Sequence, residues 1–134
     1  MASIGLVQLK YLDGDNDYRN QVADWYEELI KQSKISDKVK LVPIGWSTEK
    51  SSRHLFQIIV DEDKRDNVIN HFYKNEIYPG VHYIDNTLYP MYFNSYGTCP
   101  KAHQYSKQII TLPIHLELSK NDCEKVVKTL EDVL

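Results

Sequence analysis

Asp13, Asp15 and Asp17 place carboxylates at every second position, the spacing with which a calcium-binding loop begins. Such a loop also needs glycine at its sixth position and a bidentate glutamate at its twelfth, where this chain has Tyr18 and Asp24. The cluster therefore reads as a solvated acidic turn between helices. Five histidines (His54, His71, His82, His103, His115) and two cysteines (Cys99, Cys123) raise metal binding next. No His-x-His, His-x-x-x-His or Cys-x-x-Cys occurs, and Cys99 and His103 straddle a loop and a helix start. Four-ligand zinc has no framework here, and no metal is expected. Gly45-Trp46-Ser47 lacks the glycine pair of a nucleophile elbow, and five scattered glycines make no phosphate-cradling loop. Nothing in the chain supplies a self-contained catalytic apparatus.

The aromatic residues are more informative. Seven of the ten tyrosines (Tyr73, Tyr78, Tyr83, Tyr89, Tyr92, Tyr96, Tyr105) fall between residues 73 and 105, interleaved with His82, Asp85, Asn86, Asn94 and His103. Rings that stack, beside groups that bond hydroxyls, fit a polyhydroxylated or ring-shaped ligand. The same stretch fits an interface with another subunit or domain. Composition leaves both readings open.

The elements that would position these groups follow from apolar spacing. Leu6, Leu9 and Leu12 recur at helical intervals, and the polar run 13–17 then bends the helix or separates two. Tyr18, Val22, Trp25, Tyr26, Leu29 and Ile30 continue as one face of an amphipathic helix. Residues 41–46 read as a short extended piece and 47–52 as a polar loop. His54 to Val60 is the clearest strand, with apolar side chains on both faces. Asp63 is placed to cap the following helix, whose buried stripe is Val68, Ile69, Phe72 and Tyr73 and whose end Pro79-Gly80 marks. Val81 to Ile84 reads as another short strand, 85–98 as loop, and Pro100 as the first residue of a helix running to about Ile110. Residues 111–114 read as extended. Ser119, with Asp122 three residues on and Leu118 ready to staple onto Cys123, opens a last helix whose buried face is Cys123, Val126, Val127 and Leu130.

This order predicts an α+β fold, a small, mostly antiparallel sheet packed against helices, in one domain spanning 1–134. A length of 134 residues suffices for a core without disulfides. Net charge −3 argues against a nucleic-acid binder that neutralises phosphates. No apolar run reaches the roughly 20 residues of a membrane helix. With no secretory leader, no glycosylation sequon and only two cysteines, the expectation is a cytoplasmic protein with reduced thiols.

Several segments, in order, resemble the C-terminal small domain of the DegT/StrS-type sugar aminotransferases, fold-type I enzymes that use pyridoxal phosphate (PLP). Tyr18-Arg19 with Ala23, Tyr26 and Leu29 is similar to that family's long helix joining two domains. His54-Leu55-Phe56 and Lys64-Arg65-Asp66 resemble its strand and next helix, and Ile77 through Gly80-Val81-His82-Tyr83 its turn bearing a His-Tyr pair. Cys99-Pro100, Ala102, Ser106, residues 112–115 and the Ser119-capped helix resemble its closing segment.

The resemblance implies that residues 1–34 are a formerly inter-domain helical part and 41–134 the sheet with its helices. It implies that the N-terminal PLP-binding domain, with its Schiff-base lysine, is absent from this chain. The 13 lysines sit in nothing like the family's aldimine motif. PLP is thus expected in the parent family and not on this chain alone, which would be inactive by itself as a truncated product, an engineered piece or half of a split enzyme. The family moves an amino group from a donor, commonly glutamate, onto a keto-sugar nucleotide, in amino-sugar and polysaccharide biosynthesis. No catalytic residue is expected here. The implied substrate-binding residues are His82 and Tyr83, with Asp85, Asn86 and Thr87, and Arg53 and His54 are expected to be structural. Many members follow the pair with proline and a second histidine, where this chain has Ile84-Asp85-Asn86-Thr87. Expected partners are the missing domain or a second copy, as a dimer that buries the Leu6, Leu9 and Leu12 face. The alternative is a non-catalytic sugar-binding or protein-assembly module using residues 73–105.

Overall fold

Apolar spacing dictates most of the elements, and the computed structural model, which describes residues 2–43 and 51–134, shows how they assemble. Helix α1 (Ala2–Leu9) buries nothing, and Ile4, Leu6 and Leu9 are each more than 60% exposed. The break after it falls at Lys10 and Tyr11, not at the acidic cluster. Helix α2 (Leu12–Gln32) begins at once, with Asp13 and Asp15 in its first turn, where carboxylates suit the positive end of the helix dipole. The expected acidic turn is therefore helix. Val22, Ala23, Tyr26 and Ile30 bury its inner face, and the hydroxyls of Tyr18 and Tyr26 donate to the carbonyls of Leu118 (3.1 Å) and Pro113 (3.0 Å).

Three short strands, β1 (Lys40–Leu41), β2 (Phe56–Ile59) and β3 (Ile109–Leu112), form an antiparallel sheet in that order. Of the stretches expected as extended and loop, residues 44–50 lie outside the described residues. The β2–β3 register sets Phe56 opposite Leu112 and Ile58 opposite Ile110 on one face, and Gln57 opposite Thr111 on the other. The first face meets Tyr26, Val68, Phe72, Val126 and Leu130 in a single core. A one-residue slip would exchange the two faces, so burial of Ile58 and Ile110 fixes the pairing. The fold is α+β, with helices α2, α3 (Glu62–Lys74) and α5 (Lys120–Glu131) contributing to that core.

Three boundaries differ from the sequence reading. The N-cap position of helix α3 falls at Asp61, two residues before Asp63 and without a side-chain capping bond, because the chain turns directly out of β2 after Val60 and puts Glu62 and Asp63 in the first turn. Helix α4 (Pro100–Ser106) stops short of Ile110, since Ile109 and Ile110 are claimed by β3 and pairing with β2 outweighs local helix preference. Residues 81–84 make no strand. Gly80 alone bridges to Thr111, and the chain then leaves the edge. Between residues 86 and 95 it forms two short 3-10 turns, Asn86–Leu88 and Pro90–Ser95. The α5 start is as expected: the Ser119 side chain accepts from the Asp122 amide and the Asp122 carboxylate accepts from the Ser119 amide, reciprocal capping that contributes about 1 kcal/mol.

Cys123, on α5, is buried beside Tyr26 of α2, and burial pushes its thiol up to about 11. Cys99 is exposed. A disulfide-exchange reagent should therefore titrate one thiol in the native protein and two after unfolding; two fast-reacting thiols in the native state would contradict the packing. Among the described residues no helix is long and apolar enough to cross a membrane.

Candidate functional site

The outer face of the sheet, opposite the core, carries Gln57 and Thr111 side by side. The Thr111 amide donates to the Gly80 carbonyl (2.8 Å) and accepts the Gly80 amide on its own carbonyl (2.9 Å). Its backbone groups thus point away from β2. Gln57 and Thr111 form a non-hydrogen-bonded pair, the kind whose side chains lie closest. Both take hold of His82. The Gln57 side-chain amide donates to the His82 carbonyl, and His82 Nδ1 lies 2.9 Å from Thr111 Oγ1.

Thr111 is buried, and its hydroxyl has no other acceptor among the described residues. A buried hydroxyl satisfies its proton by donating, so Nδ1 accepts and the other ring nitrogen, Nε2, carries the hydrogen. Gly80 makes room for this arrangement. A Cβ there would stand 2.5 Å from His82 Cε1 and 3.0 Å from Nδ1. The Tyr83 ring meets His82 edge-on at 5.0 Å and is 70% exposed. An open hollow of about 240 Å³ beside them is lined by His54, Tyr78, Gly80, His82, Thr111 and Pro113.

Of the five residues expected to bind substrate, the structure exposes Tyr83 and Asn86, half-buries His82, and buries Asp85 and Thr87. Asp85 Oδ1 accepts the Thr87 amide (2.9 Å) and hydroxyl (2.8 Å), while Oδ2 meets His103 Nδ1 at 2.9 Å. The Thr87 amide and hydroxyl, and more weakly His103, hold the Asp85 carboxyl below the usual carboxylate range. A depressed carboxyl stabilises the fold above its unfolded value and loses that contribution as pH falls through its folded value. The Thr87 amide resonance should therefore titrate with a midpoint below about pH 4. A midpoint above that would break the assignment.

His54 is exposed, and Arg53 is half-buried with Nη2 3.2 Å from Glu27 Oε1 on α2. The tyrosine-rich stretch forms a surface belt in which Phe93 and Tyr96 stack at 5.6 Å and Tyr96 meets His103 edge-on at 5.9 Å. Among the described residues no three His, Cys, Asp or Glu side chains gather to hold a metal. The sequence reading missed Gln57 and Thr111, 25 and 29 residues from His82, and it named His103 within the tyrosine-rich stretch without its partner Asp85, 18 residues away. Only the Asp85-x-Thr87 pattern, an Asx turn, gave a local signal.

An α+β fold with a small three-stranded antiparallel sheet is shared, over nearly all of this chain, with solved aminotransferase structures. The chain belongs to the DegT/DnrJ/EryC1/StrS aminotransferase family, whose model matches residues 1–131. It is 28% identical to the spore coat polysaccharide biosynthesis protein SpsC of Bacillus subtilis (strain 168), over 99% of this chain and 36% of that protein. It is 24% identical to the UDP-4-amino-4,6-dideoxy-N-acetyl-beta-L-altrosamine transaminase of Campylobacter jejuni (strain NCTC 11168), with the same two coverages. Among solved structures, the PLP form of Spr1654 from Streptococcus pneumoniae matches with TM-score 0.87 and 29% identity, over 99% of this chain and 34% of that one. The chain spans about a third of the length of these relatives.

Proposed function

We propose that this chain is the small lobe of a PLP-dependent aminotransferase acting on keto-sugar nucleotides, and that it supplies one wall of the sugar site. The observation that carries the reading is the His82–Tyr83 pair, built onto the outer face of the sheet within a chain that matches the family over residues 1–131. In this reading Tyr83 and Asn86 touch the sugar, His82 presents Nε2–H to one of its oxygens, and Asp85 and Thr87 shape the turn from behind. PLP, when bound, supplies the electron sink for amino-group transfer. The lysines here do not fit its anchoring. A Schiff-base lysine needs a desolvated or cationic pocket, and every described lysine is exposed; Lys50 lies outside the described residues. The lysine-bearing body belongs to a further polypeptide segment, and the chain alone is catalytically incomplete.

Adding UDP-N-acetylglucosamine to the isotopically labelled chain should shift the Tyr83 and Asn86 resonances, whereas adding PLP should produce no saturable Schiff-base absorbance. Silence of both residues toward the sugar nucleotide would sink the sugar-wall reading. Transamination by this chain alone would sink the incompleteness. A second reading, a protein-assembly module, draws on the exposed belt of Tyr89, Met91, Tyr92, Phe93 and Tyr96. Concentration-dependent self-association with no sugar response would favour it.

A further inference from the structure

His103 sits at the end of a buried polar knot. Asp85 holds the Thr87 amide and hydroxyl on Oδ1 and faces His103 Nδ1 with Oδ2. An ionised carboxylate only accepts hydrogen bonds, so the proton between Oδ2 and the ring belongs to Nδ1. A neutral imidazole protonated there keeps its lone pair on Nε2. That nitrogen has no hydrogen bond among the described residues, and the His103 side chain is 29% exposed beside the Tyr96 ring.

We propose that His103 is a ligand-contacting residue whose Nε2 accepts a hydrogen bond from a hydroxyl of the sugar, with Asp85 and Thr87 as the positioning residues that hold its tautomer. The proposal rests on the sugar-wall reading above. His82 and His103 then offer opposite chemistry. Thr111 leaves His82 a donor at Nε2, while Asp85 leaves His103 an acceptor. The neighbouring Phe93–Tyr96 stack offers an apolar platform for the sugar ring.

Two measurements on the full chain test this. At alkaline pH, where imidazoles are neutral, nitrogen-15 spectra should show His103 protonated on Nδ1 in the wild type. In Asp85→Asn the side-chain oxygen keeps both Thr87 bonds and the amide nitrogen donates to His103, so the proton should move to Nε2. Affinity for UDP-N-acetylglucosamine should fall about tenfold in that variant, the scale of one lost hydrogen bond. His103→Ala should match that loss while leaving the Tyr83 response in place. An Nε2–H tautomer in the wild type, or an unmoved tautomer in Asp85→Asn, would overturn the positioning role. Sugar shifts at Tyr83 and Asn86 without a shift at His103 Nε2 would overturn the contact and spare the sugar-wall reading. Silence at all three would overturn both, and the tautomer measurement would still report on Asp85 by itself.

Discussion

Truncating Tyr26 to alanine should cost about 4 kcal/mol of unfolding free energy, a large part of the 5–15 kcal/mol that holds a typical domain together. Tyr26 is fully buried near the middle of α2. Its ring packs on Phe56 of β2 with centroids 5.0 Å apart, and its hydroxyl reaches the Pro113 carbonyl beyond β3. One side chain thus ties the long helix to the sheet at two points. Burial, followed by the nearby Cys123 thiol, drives its phenol far above the ordinary tyrosine range, so it stays a neutral donor throughout the folded pH range. Tyr26→Phe keeps the ring and loses one buried hydrogen bond, which should cost about 1 kcal/mol. Urea unfolding of the three proteins measures both differences. Equal losses for alanine and phenylalanine would show that the ring adds no packing energy.

The second large effect is expected at Gly80. Gly80→Ala places a methyl where the His82 imidazole now lies, 2.5 Å from Cε1. The ring must swing away, and the buried Thr111 hydroxyl loses its acceptor. Overpacking and an unmade buried hydrogen bond together should cost about 1–3 kcal/mol. The His82 tautomer should also become mixed, and sugar-nucleotide binding should weaken by an order of magnitude or more. Gly14→Ala is the control of opposite sign. Gly14 lies inside α2 with nothing within 4 Å of the added carbon, so alanine there should stabilise by about 0.5–1 kcal/mol. Unchanged stability and an unchanged His82 spectrum in Gly80→Ala would remove the close approach from the account.

The helices were legible where a long amphipathic face or a cap announced them. Val22, Tyr26 and Ile30 carry the spacing of α2, and Ser119 with Asp122 marks the start of α5. Where local and distant preferences compete, the sequence misleads. Ile109 and Ile110 continue a helical pattern and are nonetheless drawn into β3 by Ile58 and Ile59 across the sheet. Residues 81–84 have strand-like composition, but Gln57 captures the His82 carbonyl from the sheet face and the ladder ends at Gly80.

Position in the chain singled out His82 and Tyr83 only through the family resemblance. What holds them, Gln57 and Thr111, depends on a register between strands more than fifty residues apart, which no local pattern reports. The same holds for His103. Its partner Asp85 is 18 residues away, and only the turn that closes around Thr87 brings the two together.

The alternation of β2 and β3 therefore does two jobs with one measuring stick. Oily side chains on even steps seal the interior, and the intervening steps clamp an imidazole on the opposite surface. A molecule that shifted its strands by a single notch would lose the clamp and the compactness in the same stroke. Sealing of the core and seating of His82 are, in this sheet, inseparable.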